Sequence, residues 1–230
     1  FAPALPGTAY SLRSLAPLLG DDQPLAGFES PFLDGKPSPF TKLETLALRY
    51  VTDLRRHQPE GPYFLAGYSF GGVLAFEIAR QLVEAGEEVP FLGVFDVGPG
   101  YRGRHFHPRK PPLKPTLTVP MVPEELEGAG AKPRWSADPA RRSPADLAEN
   151  LLIRTGADTY ADRFRESRDL RRSGTIHPAR RLWYAWRTHW TLARAYTWDD
   201  KHYPGPFTLF WADETASTDS TMGWGSVVEG

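Results

Sequence analysis

The sequence predicts an α/β fold in which a mostly parallel sheet is flanked by helices. Segments with an apolar residue at every third or fourth position alternate along the chain with short apolar runs of strand length. This alternation favours parallel strands joined by crossover helices. A chain of 230 residues is also long enough to bury one large core without disulfides or structural metals.

The first quarter of the chain is predicted to contain two helices and one short strand. Apolar residues at helical spacing over 9–19 predict a helix, which turn residues then end. Residues 25–28 form an apolar run between turn residues and predict a buried strand. A second helix is predicted as far as His57, with Thr41 and Glu44 as a capping box at its start.

Three further apolar runs, 63–66, 91–95 and 207–211, predict the remaining strands. A helix is predicted over 73–83, between the first two of these strands. A later helix precedes the third strand, and its apolar face is predicted to carry Leu182, Trp186, His189 or Trp190, and Ala193.

The middle of the chain differs from both flanks in composition. Residues 101–200 hold 19 basic and 12 acidic side chains, a net charge of +7, whereas residues 1–100 carry −5 and residues 201–230 carry −3. The middle segment also holds six prolines between Pro108 and Pro123 and shows little periodicity before Leu182. We therefore interpret this segment as an insertion into the α/β core.

Composition excludes several kinds of chemistry. The sequence contains no cysteine, which excludes disulfides, thiolate nucleophiles and zinc–thiolate sites. Its net charge of −1 creates no overall field that would attract nucleic acid. No apolar run reaches the roughly 18 residues that a membrane span needs. We expect no metal site and no nucleic-acid or membrane partner.

The clearest chemical signal is a Gly-x-Ser-x-Gly motif, Gly67-Tyr68-Ser69-Phe70-Gly71, between a predicted strand and a predicted helix. This setting is typical of a serine nucleophile held on a tight turn, where glycines leave room for the neighbouring backbone. Ser69 is therefore the candidate nucleophile, and a purely structural glycine-rich turn is the alternative. The N–H of Phe70, at the helix start, is a candidate oxyanion donor.

A second oxyanion donor is expected from a loop near the start of the chain, at residues 3–7. We favour the N–H of Leu5, with that of Ala4 next, over the alternative that this segment is only a Pro-Gly turn. A serine nucleophile also needs a base and an acid that orients the base. Asp96 follows the strand at 91–95 and is favoured as this acid, with Asp213, after the last strand, as the rival.

Residues 61–80, Gly-Pro-Tyr-Phe-Leu-Ala-Gly-Tyr-Ser-Phe-Gly-Gly-Val-Leu-Ala-Phe-Glu-Ile-Ala-Arg, resemble the thioesterase domains that terminate nonribosomal peptide and polyketide synthetases. Phe95-Asp96, the segment 203–212 and Gly223-Trp224 are similar as well. The resemblance implies the α/β-hydrolase fold with an inserted helical lid, and it supports Asp96 as the acid. The implied organisation is a core at 1–100, a lid at 101–198 and the second part of the core at 199–230.

The resemblance also implies an activity and a partner. Such a domain releases an acyl or peptidyl chain from the phosphopantetheine arm of a carrier protein through a serine acyl-enzyme, by hydrolysis or cyclisation. It binds no cofactor of its own. Together with the absence of a signal-peptide pattern, the resemblance leads us to expect a cytoplasmic protein.

The sequence departs from the family pattern at the histidine base. The family carries this residue in a loop beyond the strand that follows Gly223-Trp224, so we expect the catalytic histidine to lie outside residues 1–230 and both ends to be truncated. For every histidine present, including His189 and His202, we favour a solvated or packed position over a catalytic one.

Two other functions stay open. The motif alone would also suit a serine esterase that acts on free esters. Without its histidine, the chain could instead be a non-catalytic domain that binds acyl groups or an acidic carrier protein through the basic segment 101–200. For Trp183, Trp186 and Trp190 we favour packing against the core over lining an acyl channel.

Overall fold

A computed structural model of the chain describes residues 1–9, 12–99, 158–211, 221 and 223–228. The chain divides into two compact units, one formed by residues 1–102 with 169–230 and the other by residues 103–168. The first unit contains the sheet and the helices that pack on it. The proposed lid limits, 101–198, stay a prediction, because much of that range lies outside the described residues.

The described residues form five α-helices, three strands and three short 3-10 turns. They are α1 (Leu12–Leu15, continued by a 3-10 turn at Ala16–Leu18), a 3-10 turn at Pro31–Asp34, α2 (Leu43–His57), β1 (Phe64–Tyr68), α3 (Phe70–Glu84), β2 (Phe91–Phe95), α4 (Asp158–Ser173), α5 (Pro178–Ala195), β3 (Phe207–Phe210) and a 3-10 turn at Trp224–Ser226.

The three strands form one parallel sheet in the order β1–β2–β3. Tyr68, the last residue of β1, lies opposite Phe95, the last residue of β2, and Phe95 lies opposite Phe210 at the end of β3. All three strands therefore end side by side. Residues that follow β1 and β2 meet at this carboxyl edge, where open α/β sheets bind their ligands.

α3 is the centre of the buried core. Its first ten residues are all buried, because this helix packs on both β1 and β2 on one side and on α2 on the other. A helix covered in this way needs apolar residues around its whole circumference, which the sequence from Phe70 to Ala79 provides except at one glutamate. α5 also packs against α2 and α3.

Two predicted local features are wrong. Residues 25–28 do not form a strand: they join the sheet region only through the N–H of Phe28 to the carbonyl of Phe1 (3.1 Å) and the amino group of Phe1 to the carbonyl of Ala26 (2.8 Å). Two bonds to a single residue cannot build a ladder. The capping box at Thr41 and Glu44 is also absent, because Lys42 is the cap residue of α2 and makes no side-chain capping bond.

The buried face of α5 matches the predicted one at His189 and, in part, at Ala193, and differs from it elsewhere. Its buried residues are Tyr184, Ala185, His189 and Leu192, whereas Leu182 is 39% exposed. Trp183, Trp186 and Trp190 lie beside this face and stack on one another, with ring centroids 4.9 and 5.6 Å apart. All three rings are half-buried, and packing against the core stays a prediction for them.

Candidate active site

Ser69 occupies a sharp turn between β1 and α3. Its backbone has φ 53° and ψ −125°, a conformation that non-glycine residues rarely adopt. Strain of this kind clusters at functional sites, where the surrounding structure maintains it. The Ser69 side chain is half-buried and makes no capping hydrogen bond to α3, although its position before the helix would allow one. The hydroxyl is therefore not used to stabilise the helix.

The two motif glycines make this turn sterically possible. A Cβ on Gly67 would overlap the carbonyl group of Gly71, and a Cβ on Gly71 would lie 2.5 Å from the carbonyl oxygen of Ala2. The neighbours are backbone atoms, which cannot move aside as a flexible side chain could. The motif therefore has the steric cause that the sequence analysis assigned to it.

Asp96 lies next to this turn, directly after β2. The N–H of Ser69 donates to the carbonyl of Phe95 (2.9 Å), and the N–H of Asp96 donates to the carbonyl of Phe210 (2.7 Å). These bonds extend the parallel ladder by one residue past each strand and hold Ser69 and Asp96 at the same edge. Asp96 is half-buried and also has a positive φ, 55°. The rival acid, Asp213, lies outside the described residues.

The two candidate oxyanion donors lie on segments that adjoin. Phe70 is the first residue of α3, so its N–H has no acceptor within the helix. The segment carrying Leu5 is attached to β1 by a hydrogen bond from the N–H of Ala2 to the carbonyl of Ala66 (2.7 Å). It then passes against Gly71 and makes a turn that the N–H of Gly7 closes on the carbonyl of Ala4 (2.6 Å).

The histidines within the described residues do not hydrogen-bond to Ser69. His57 ends α2 and is exposed, His202 is exposed before β3, and the ring of His177 accepts from the N–H of Ala179 at the start of α5 (3.3 Å). His105 and His107 lie outside the described residues. His189 is packed in the core, as the sequence analysis expects.

His189 is fully buried, and its Nε2 lies 3.1 Å from Oγ of Ser30. Burial lowers the pKa of His189 to about 3, because the charged imidazolium loses its hydration. A hydrogen bond with the backbone of Pro6 raises the pKa, but by less than burial lowers it. The ring is therefore neutral at physiological pH. Sequence reasoning missed its neighbour Ser30, whose contact with α5 joins residues 159 positions apart.

Sequence analysis also missed a buried carboxylate in the middle of α3. Glu77 of α3 is fully buried and accepts hydrogen bonds from Arg80 (2.9 Å to each oxygen), Gln81 (2.7 Å) and the hydroxyl of Tyr196 (2.6 Å). Burial raises the pKa of Glu77, but these hydrogen bonds and the charge of Arg80 outweigh it and lower the pKa. The signal was a glutamate between Phe76 and Ile78, within the otherwise apolar stretch 70–79.

Within the described residues, no group of three or more histidine, aspartate and glutamate side chains is arranged to hold a metal ion. None of the helices in that part of the chain combines the length and apolar character needed to cross a membrane.

A parallel sheet with a serine on a strained strand-to-helix turn, and an aspartate after the next strand, defines a protein of the α/β-hydrolase type. The sequence matches the thioesterase domain family over residues 2–143. The chain belongs to this family.

Curated relatives of the chain are large synthetases. It is 38% identical over 93 residues to a protein named "Inactive atromentin synthetase invA6" from Paxillus involutus, covering 40% of this chain and 10% of that protein. It is 41% identical over 94 residues to the nonribosomal peptide synthetase btyA from Aspergillus terreus, again covering 40% and 10%. Its relatives thus comprise nonribosomal peptide and polyketide synthetases. The chain spans a tenth or less of the length of the curated relatives it matches.

Solved structures support the fold. The thioesterase domain NocB from the nocardicin cluster superposes with a TM-score of 0.56 and 23% identity, over 97% of this chain and 75% of that one. At this identity the likeness concerns the fold alone.

Proposed function

We propose that this chain releases an acyl or peptidyl chain from a carrier-protein thioester through a covalent intermediate on Ser69. The observation that carries the proposal is the position of Ser69, with φ 53°, between β1 and α3 and beside Asp96 at the carboxyl edge of the sheet. Membership of the thioesterase family supports a hydrolase activity in general, and its synthetase relatives support a substrate tethered to phosphopantetheine.

In the first half-reaction the Oγ of Ser69 attacks the carbonyl carbon of the thioester, and its proton passes to a general base. This base is a histidine outside the described residues, oriented by the carboxylate of Asp96. The N–H groups of Phe70 and Leu5 stabilise the negative oxygen of the tetrahedral intermediate. The C–S bond then breaks, and the phosphopantetheine thiolate leaves with the proton held by the base. The acyl group remains as an ester of Ser69.

In the second half-reaction either water or a hydroxyl or amine within the acyl chain attacks the ester carbonyl. Water gives a free acid, and a nucleophile within the acyl chain gives a ring. In either case the base removes the proton of the incoming group and returns it to Oγ of Ser69 as the ester bond breaks. We further propose that residues 101–198 form a lid over a core built from 1–100 and 199–230, and that this lid decides which nucleophile reaches the ester.

The test compares Ser69→Ala with the wild type in the full-length natural protein. Release is measured from an acylated carrier protein and, on the same preparation, from a free ester of the same acyl group. Ser173→Ala is the control, because Ser173 is an exposed serine whose hydroxyl bonds only to nearby backbone carbonyls at the end of α4. We expect Ser69→Ala to lose release by at least about 10³-fold and to lose the acyl adduct seen by mass spectrometry.

Each alternative function has its own outcome in this experiment. Release by Ser69→Ala at the wild-type rate would overturn the proposal. A higher kcat/KM for the free ester than for the carrier thioester would identify a serine esterase instead. Binding of the carrier protein with neither turnover nor an acyl adduct would identify a non-catalytic binding domain.

A further inference from the structure

His189 lies between the two segments that carry the candidate oxyanion donors. Its ring is 4.9 Å from the ring of Phe70, centroid to centroid, and 4.8 Å from that of Phe32. Its Cε1 lies 2.6 Å from the position that a Cβ on Gly7 would occupy. Thus one fully buried side chain of α5 contacts the residue that starts α3 and also supports the turn that contains Leu5.

Ser30 completes the link between this ring and the turn. Its N–H donates to the carbonyl of Gly7 (2.7 Å), and its Oγ accepts from the N–H of Phe32 (3.1 Å) and lies 3.1 Å from Nε2 of His189. The hydroxyl donates to Nε2 or accepts from it, according to the tautomer of the neutral ring. Either arrangement joins the ring to Ser30 and, through the N–H of Ser30, to Gly7.

We propose that His189 and Ser30 are positioning residues for the oxyanion hole, which fix the turn carrying Leu5 against the start of α3. The inference rests on the proposed function, because an oxyanion hole matters only if Ser69 forms a tetrahedral intermediate. Neither residue touches the reacting atoms in this role. They act by holding two backbone N–H groups, from segments more than 60 residues apart in sequence, at one site.

The N–H of Ala2 fixes the start of this segment to β1, and the bond from Ser30 to Gly7 fixes the end that is farther along the chain from β1. The bond from Gly7 to Ala4 closes the turn internally, and Gly7 has φ +110°, which other residues adopt only with strain. Phe70, by contrast, is fixed as the first residue of a buried helix. Oxyanion donors lower a barrier only if they are already aimed at the developing charge, so a small displacement of the Leu5 N–H would reduce the rate.

The chain offers a matched control within a repeated tripeptide. Ser30-Pro31-Phe32 and Ser38-Pro39-Phe40 have the same sequence, and each serine Oγ accepts from the N–H of its phenylalanine at 3.1 Å. Ser38 also faces α5, but through its N–H to the hydroxyl of Tyr184 (2.7 Å), and not through His189 or Gly7. Ser38→Ala thus removes an equivalent local bond without altering the proposed support.

The experiment measures kcat, KM and the affinity for a trifluoromethyl ketone analogue of the acyl group in the full-length natural protein. Such a ketone forms a tetrahedral adduct with the serine, so its affinity reports the oxyanion hole directly. We expect Ser30→Ala and His189→Leu to lower kcat about 10–100-fold, to leave KM within about two-fold and to weaken ketone binding by a similar factor. His189→Gln, whose amide can place a polar atom near the position of Nε2, should recover part of the loss.

Ser38→Ala should keep kcat and ketone affinity within about two-fold of the wild type. If Ser30→Ala and His189→Leu are folded and retain kcat while Ser69→Ala is inactive, the positioning role is wrong and the proposed function stands. If Ser69→Ala is as active as the wild type, both fall. Should His189→Leu fail to fold, the comparison of Ser30→Ala with Ser38→Ala decides the question alone.

Discussion

The α-carbon of Gly67 lies so close to the carbonyl group of Gly71 that a Cβ on Gly67 would overlap it. This approach brings the end of β1 directly under the first turn of α3. It leaves Ser69 at the apex with a positive φ, which among the non-glycine residues that the structure describes only Asp96 shares. The strained turn therefore requires a residue without a side chain at both Gly67 and Gly71.

The first prediction concerns this steric requirement. Gly67→Ala forces backbone atoms apart and is expected to destabilise the fold by about 3 kcal/mol or more, at the upper end of what overpacking costs. The control is Gly225→Ala, whose new Cβ would meet Thr221 at 3.4 Å, an ordinary contact, and should change stability by no more than about 0.5 kcal/mol. Urea denaturation followed by tryptophan fluorescence measures both. Equal midpoints for the two variants would contradict the steric account.

The second prediction distinguishes the two candidate acids. Asp96→Asn keeps the size of the side chain but removes the charge that would stabilise a histidine base as it takes up a proton. We expect kcat for thioester release to fall about 10³–10⁴-fold with KM nearly unchanged. Asp213→Asn should stay within about three-fold of the wild type. The reverse pattern would assign the acid role to Asp213.

The third prediction concerns the buried carboxylate of Glu77. Tyr196→Phe leaves Oε2 of Glu77 without one of its donors, and a hydrogen bond to a charged group contributes about 1.5–3 kcal/mol. Tyr184→Phe removes a bond from a neutral backbone N–H instead and should cost about 1 kcal/mol. The free energies of unfolding of both variants can be compared by urea denaturation. A smaller loss for Tyr196→Phe would mean that Arg80 and Gln81 suffice to stabilise the charge.

The sequence predicts the elements near the site better than those at the periphery. The limits of β2 match those predicted, and α3 extends the predicted helix by a few residues at its start. These segments are buried on several sides and mostly apolar, so their length and the turn residues that flank them separate the short strand from the longer helix. Residues 25–28 have the same apolar character, but they bond only to Phe1 and not to a strand of the sheet. Whether an apolar run pairs with a strand depends on residues distant in sequence, which a local pattern does not contain.

The predicted buried face of α5 is partly wrong for a related reason. Three tryptophans at helical spacing dominate the apolar pattern, yet they stack on one another beside the core, while the smaller Ala185 and the polar His189 are fully buried. A ranking by hydrophobicity would bury the tryptophans before His189. The contact with Ser30 gives the polar ring a hydrogen-bond partner, which allows it to be buried. No periodicity within α5 encodes a partner in a distant loop.

The last prediction is a pH dependence of stability that arises from His189. Its pKa is about 3 in the folded protein, compared with an ordinary value of 6.5, so the unfolded chain binds a proton that the folded chain excludes between these two values. Because the unfolded chain takes up this proton, the free energy of unfolding falls below pH 6.5 by about 1.4 kcal/mol for each pH unit, until pH 3 is reached. Above pH 6.5 the ring is neutral in both states, and this loss is absent. The groups found against the ring, which are Pro6, Gly7, Ser30, Phe32 and Phe70, do not titrate.

His189→Gln removes this proton-binding site but keeps a polar side chain for Ser30. Its free energy of unfolding should therefore decline less steeply than that of the wild type between pH 6.5 and 4.5, by a difference of roughly 3 kcal/mol over that interval. Ser38→Ala, which removes a non-titrating hydroxyl from another residue that faces α5, is the control and should follow the wild-type profile. Urea denaturation at half-unit pH steps measures all three proteins. Parallel profiles for His189→Gln and the wild type would show that the buried ring accepts a proton without unfolding, and the account of a neutral, desolvated His189 would then be wrong.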